Sequence, residues 1–159
     1  MTRELRDITN MAVAEIFGGR STCDRAHVGA VIAREGRILS TGYNGAPAGI
    51  DHCVHEPQPS DSAMVRSITS TPSIAGHTAE ANVETCWVSV HAEANAIAYA
   101  ARYGISTDGC DLFTTLSPCM ECAKLAINAG VWRVVFRDPY RDTRSLQFLT
   151  AAGIQVVKL

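Results

Sequence analysis

Two short segments combine residue types that hold metals and move protons: His91-Ala92-Glu93 and Pro118-Cys119-Met120-Glu121-Cys122. Each opens a stretch with helical character. Cys119 and Cys122 are three residues apart, so on a helix they share one face with Cβ atoms about 5–6 Å apart. In a first helical turn, unpaired backbone N–H groups and the helix dipole favour negative charge. A thiolate pair is therefore stabilised there before any metal arrives. His91, at the start of another helix, supplies a third ligand. Three protein ligands and one open position is the pattern of a catalytic zinc, whereas a structural zinc is closed by four. Glu93 cannot share a face with His91 in mid-helix, where i and i+2 point apart. At a helix start that objection weakens, and Glu93 can stand beside the metal without ligating it. Zn²⁺ with two thiolates and a neutral imidazole sums to zero charge and acidifies water only moderately. A nearby carboxylate that accepts the proton makes up part of the shortfall. The competing reading of Cys119 and Cys122 is a thioredoxin-like dithiol or an inert buried pair.

The elements that must position these residues follow from periodicity and punctuation. Residues 3–17 place Leu5, Ile8, Ala12 and Ile16 on one helical stripe, and Gly18-Gly19 ends it. Val28–Arg34 reads as a strand, Glu35-Gly36 as a turn and Arg37–Gly42 as the return strand of a hairpin. Residues 43–90 are irregular and rich in Gly, Pro, Ser, Thr, His and Cys, with a short helix near Asp61–Ile68. A regular alternation follows: helix His91–Tyr103, strand Cys110–Thr115, helix Cys119–Ala129, strand Val131–Phe136, helix Thr143–Ala152 and strand Ile154–Lys158. The fourth strand is apolar except for Arg133 and reads as buried. The expected fold is α/β, a three-layer α/β/α arrangement around a five-stranded mixed sheet. One domain over 1–159 is expected, with an irregular metal-stapled insertion at about 46–90.

Composition removes several function classes. Fourteen Lys and Arg face sixteen Asp and Glu, a formal charge of −2. That balance gives no general affinity for nucleic acid or anionic membrane. Aromatics at 6% are too sparse for base-stacking platforms. No apolar run approaches a membrane span, and residues 1–7 alternate charge without a secretory core, so a cytoplasmic protein is expected. There the six cysteines point to metal binding or catalysis more than to a disulfide framework.

The chain resembles the deoxycytidylate (dCMP) deaminases of the cytidine deaminase-like superfamily, most closely the phage and bacterial members. The matching residues are Val28-Gly29-Ala30-Val31-Ile32, Gly42-Tyr43-Asn44-Gly45 with Pro47 and Gly49, His91 to Ile97, and Ser117 to Lys124 with Ala129-Gly130. His-x-Glu followed by Pro-Cys-x-x-Cys is the zinc deaminase signature. The Gly-Tyr-Asn-Gly block separates this branch from cytosine and tRNA-adenosine deaminases.

The resemblance implies that His91, Cys119 and Cys122 ligate a catalytic zinc and that Glu93 shuttles protons. Hydroxide would attack C4 of the cytosine, and ammonia would leave to give dUMP for thymidylate synthesis. Asn44 would bind the sugar, while the backbone around Ala30 and the side of Val28 would frame the pyrimidine. The 5′-phosphate needs cations or helix N–H groups; Arg25, Arg137 and Arg141 are candidates, as is Tyr140. The resemblance also implies a second, structural zinc with Cys23 and Cys53 as ligands. His77 and Cys86 would complete it, with His52 and His55 as alternatives to His77. Cys110 reads as core. Members of the family are commonly hexamers regulated by dCTP and dTTP, and Tyr99 and Arg102 occupy positions of subunit contact and effector response. Two other readings stand beside this one: a deaminase of a 5-substituted dCMP or another cytosine nucleotide, and a zinc-stabilised binding module without activity.

Overall fold

The computed structural model describes residues 2–23, 25–53, 86 and 88–159. In chain order the elements are α1 (Arg3–Gly18), β1 (Gly29–Arg34), β2 (Arg37–Tyr43), α2 (Ala92–Arg102), β3 (Asp111–Leu116), α3 (Met120–Asn128), β4 (Arg133–Asp138), α4 (Arg144–Ala151) and β5 (Gln155–Lys158). The sheet order is β2-β1-β3-β4-β5. β1 pairs antiparallel with β2 and β3, whereas β3, β4 and β5 run parallel. The sheet is thus five-stranded and mixed, as expected. The helix proposed at 61–68 lies outside the described residues.

Strand alternation sorts the core into two layers. Ala30, Ile32, Leu112 and Val134 point to one face, where Ala92 and Ala96 of α2, Ala123 and Ala126 of α3, and Leu149 of α4 cover them. Val31, Ala33, Phe113 and Val135 point to the other, under Met11 and Ala14 of α1. The alanines let the helices lie close on the sheet. Two glycines mark where backbone meets backbone. A Cβ on Gly29 would sit 1.8 Å from the Ala14 carbonyl oxygen, and one on Gly42 would sit 2.1 Å from that of Ala92. Gly42 therefore seats α2 against β2, and the Ser40 hydroxyl locks the pair by donating to the Ala96 carbonyl at 2.6 Å.

The expected inner stripe of α1 is wrong by half a turn of the helix. Leu5, Ile8, Ala12 and Ile16 are exposed, and the buried face carries Asp7, Asn10, Met11, Ala14 and Gly18. The reason is Arg133. It is buried at the start of β4, donates two hydrogen bonds to the Asp7 carboxylate and a third, at 3.1 Å, to Asp111 Oδ1. The ion pair draws a polar residue of α1 inward and turns its bulkier apolar side to solvent. A buried pair of this kind is costly to break, because one partner leaves an uncompensated charge behind. Asp7→Ala is expected to lose about 3–5 kcal/mol of stability in urea unfolding, and Asp7→Leu combined with Arg133→Met to recover most of it.

Candidate metal centre and catalytic cavity

The chemistry-bearing residues converge at the carboxyl ends of the parallel strands, where α/β sheets place their ligands. β3 ends at Leu116, and Ser117-Pro118 turns the chain into α3. The Ser145 hydroxyl donates to the Pro118 carbonyl at 2.6 Å and fixes that turn from α4. Cys119 is the N-cap of α3 and His91 the N-cap of α2, each with extended backbone and neither making a side-chain cap hydrogen bond. N-cap positions ordinarily hold Ser, Thr, Asp or Asn, which satisfy the helix N–H groups. Here the two cap side chains turn to each other instead. Two further contacts hold α2 in place: Asn95 Nδ2 donates to the Tyr43 carbonyl at 2.7 Å, and Gly45 pairs with Val90 immediately before His91.

His91 Nδ1 lies 3.3 Å from Cys119 Sγ and 3.5 Å from Cys122 Sγ. A tetrahedral zinc with ordinary Zn–N and Zn–S bonds separates its N and S ligands by about 3.5 Å. The three donor atoms, all within 4.8 Å of one another, therefore fit the ion. Nδ1 is the nitrogen that would bind it. Without metal, the Cys119 thiol is held down to about 4 by hydrogen bonding with Cys122 and then with His91. Cys122 is pushed up by the same contact and by burial, and the bond to Cys119 raises His91. Of the thiolate pair expected at the helix start, only Cys119 is held low, whereas Cys122 is pushed up by its contact with Cys119 and by burial.

Glu93 does not belong to the ligand trio. It is only 3% exposed and lines the same cavity. Burial pushes its carboxyl above the usual range, against the opposing pull of its own backbone amide and of His91. A carboxyl so placed holds a proton more readily than an exposed one, as a proton shuttle requires.

The cavity encloses about 170 Å³. Besides His91, Cys119 and Glu93, its wall includes Arg25, Val28, Asn44 and Tyr140. Asn44 is a hub of that wall: its Oδ1 accepts from the Val28 amide and its Nδ2 donates to the Ala26 carbonyl, both at 2.8 Å. Ala30 is not part of the wall. It is wholly buried beneath α2 with Ala92 and Ala96, because strand alternation points its side chain into the core one layer below Val28. Ser117, part of the matching block but given no role from the sequence, also belongs to the wall. It is buried, lines the cavity, and its hydroxyl accepts from the Tyr140 amide at 2.8 Å, setting the chain after β4. Its place one residue before Pro118-Cys119 was the available signal. Arg137 pairs with Glu15 and Asp138 outside the wall, and Arg141 lies over the Tyr140 ring at 5.4 Å. Cys110 is buried, as read.

A second thiol cluster adjoins the first. Sulfurs of Cys23, Cys53 and Cys86 lie within 4.8 Å of one another, and Cys23 and Cys86 also touch the cavity. Burial, aided by Cys23 and Cys86, pushes the Cys53 thiol up to about 12. His77 and His55 lie outside the described residues. His52 is exposed and is not in the cluster. Tyr99 and Tyr103, 4.6 Å apart, sit exposed at the end of α2 with Arg102, away from the cavity.

His91→Ala, Cys119→Ser and Cys122→Ser are each expected to lower bound zinc by about one ion per chain, measured by atomic emission after gel filtration. Glu93→Gln keeps that zinc. Retention of a full zinc complement in all three ligand variants would refute this ligand set.

Comparison with known proteins agrees with this geometry. The family described as the cytidine and deoxycytidylate deaminase zinc-binding region matches residues 3–138. The deoxycytidylate deaminase of Enterobacteria phage T4 is 33% identical over 93% of this chain and 86% of its own length. That of Mycobacterium phage D29 is 36% identical over 86% of this chain and 97% of its own. The crystal structure of dCMP deaminase from the cyanophage S-TIM5, in complex with dCMP and dUMP, superposes with a TM-score of 0.76 at 33% identity, covering 100% of this chain and 99% of that one. The chain therefore belongs to the cytidine and deoxycytidylate deaminase family and, within it, to the dCMP deaminases.

Proposed function

We infer that the protein catalyses zinc-dependent hydrolysis of dCMP to dUMP and ammonia. The observation that carries this reading is the buried Glu93 carboxyl in one small cavity with a zinc-fitting His/Cys/Cys trio. A purely structural metal has no use for a carboxylate beside an open position. The ion, when bound, acidifies water and so supplies the nucleophile for attack at C4 of the cytosine. Glu93 accepts the proton released, delivers it to N3, and then assists protonation of the departing amine. The balance is dCMP plus water to dUMP plus ammonia. Val28 offers the ring an apolar flank. Asn44 keeps its second Nδ2 hydrogen for the sugar while its other bonds hold the 26–28 wall. Arg25 and Tyr140 stand at the same cavity for the 5′-phosphate, with Arg141 behind the tyrosine ring.

The cluster of Cys23, Cys53 and Cys86 is read as three ligands of a structural zinc, the fourth being His77. Such a staple suits the insertion expected at about 46–90. Assembly into a homo-hexamer and control by dCTP and dTTP follow the family. The exposed Tyr99, Arg102 and Tyr103 are the surface offered for such contacts. A place in the cytoplasm, feeding thymidylate synthesis, fits this activity. Among the described residues no helix is long and apolar enough to cross a membrane.

An ammonia-release assay across cytidine, dCMP, 5-methyl-dCMP and dCTP is expected to show dCMP turned over fastest, with Glu93→Gln slower by two or more orders of magnitude, about the range of general acid–base contributions. Turnover of cytidine or dCTP with none of dCMP would overturn the substrate assignment. Two zinc ions per chain, falling to about one in Cys53→Ser, is the expected stoichiometry. A wild-type value of one would remove the structural site.

A further inference from the structure

The chain between β4 and α4 brings Tyr140 to the cavity with no helix or strand of its own around that residue. Both ends of this stretch are fixed to the turn that leads into α3. At the β4 end, the Ser117 amide donates to the Asp138 carbonyl at 2.8 Å. At the α4 end, the Ser145 hydroxyl donates to the Pro118 carbonyl at 2.6 Å. Between these two points, the Tyr140 amide donates to the Ser117 hydroxyl at 2.8 Å, across 23 positions of chain.

The neighbours of Ser117 explain its place. A residue before proline is confined to extended backbone. Ser117 therefore carries the β3–β4 ladder one residue past Leu116, which pairs with Asp138. Its bond to Tyr140 is screened from bulk water, because Ser117 is only 2% exposed. One residue thus joins two parts of the cavity wall. Its main chain runs through Pro118 into Cys119, a donor of the metal trio, and its side chain holds the backbone of Tyr140. The Arg141 guanidinium lies over the Tyr140 ring, so whatever fixes Tyr140 also bears on that cation. We propose that Ser117 is a positioning residue for the 5′-phosphate end of the substrate. By accepting from the Tyr140 amide, its hydroxyl keeps Tyr140 at a set place relative to the metal turn. This rests on the reading of Tyr140 as a phosphate contact and extends it. Holding the phosphate serves substrate binding more than the chemical step, so loss of the bond falls on KM.

A double-mutant cycle of Ser117→Ala and Tyr140→Ala, read by steady-state kinetics of the zinc-loaded protein, tests it. Ser117→Ala is expected to raise KM for dCMP about tenfold, the size of one hydrogen bond left unmade. Its kcat should stay within about twofold of wild type, and its zinc per chain should be unchanged. Tyr140→Ala is expected to raise KM at least as much. In the Tyr140→Ala background, Ser117→Ala should raise KM no further, because the hydroxyl acts through that tyrosine. Competitive inhibition by dUMP should weaken in Ser117→Ala as KM rises, whereas inhibition by deoxyuridine, which lacks the phosphate, should not. An unchanged KM in Ser117→Ala, a loss confined to kcat or to zinc content, additive losses in the double variant, or equal weakening of both inhibitors would overturn the proposal alone. An unchanged KM in Tyr140→Ala would remove the phosphate contact beneath it, and the proposal with it. A wild-type protein that does not turn over dCMP would overturn the substrate reading as well.

Discussion

The contact of one imidazole nitrogen with two sulfurs, across the starts of two helices, constrains most of what surrounds it. His91 Nδ1 can reach Cys119 and Cys122 only if α2 and α3 begin at the same end of the sheet and lie close on it. Small residues make that approach possible. Gly42 admits the Ala92 carbonyl, and Ala96, Ala123 and Ala126 leave little bulk between helix and strand. The cap positions complete the arrangement. By using His and Cys where Ser or Asp would normally cap, the chain forgoes two capping bonds, each commonly worth about 1 kcal/mol. Those side chains are left directed at a metal. The two helix dipoles then favour the thiolates on which zinc ligation depends.

The second thiol cluster and the catalytic cavity share a wall. Cys23 and Cys86 belong to both, and Asn44 braces residues 26–28 between them. The Cys23 region and the wall of the cavity are thus joined by short covalent and hydrogen-bonded paths. Arg133 plays the corresponding part at the other end of the sheet, tying α1 to β3 and β4 through Asp7 and Asp111.

The sheet and the grouping of His91 with Cys119 and Cys122 were legible in the sequence because both rest on local signals. Strand alternation, glycine stops, and His-x-Glu with Cys-x-x-Cys at helix starts need no knowledge of distant contacts. Element ends agree within two residues. What was not legible depended on long-range pairing. The inward face of α1 was misassigned because Asp7 is buried only through Arg133, 126 positions away. Ser117 had no role assigned from the sequence because its hydrogen bond from the Tyr140 amide exists only once β3 and β4 are paired.

Anomalous diffraction at the zinc edge, from crystals of the metal-loaded protein, probes the central contact directly. A peak is expected about 2.0–2.1 Å from His91 Nδ1 and about 2.3 Å from both Cys119 and Cys122 sulfurs, with Glu93 outside bonding distance. An active enzyme whose crystals show no peak within that trio, or whose zinc is ligated by Glu93 in place of one of the sulfurs, would contradict the account.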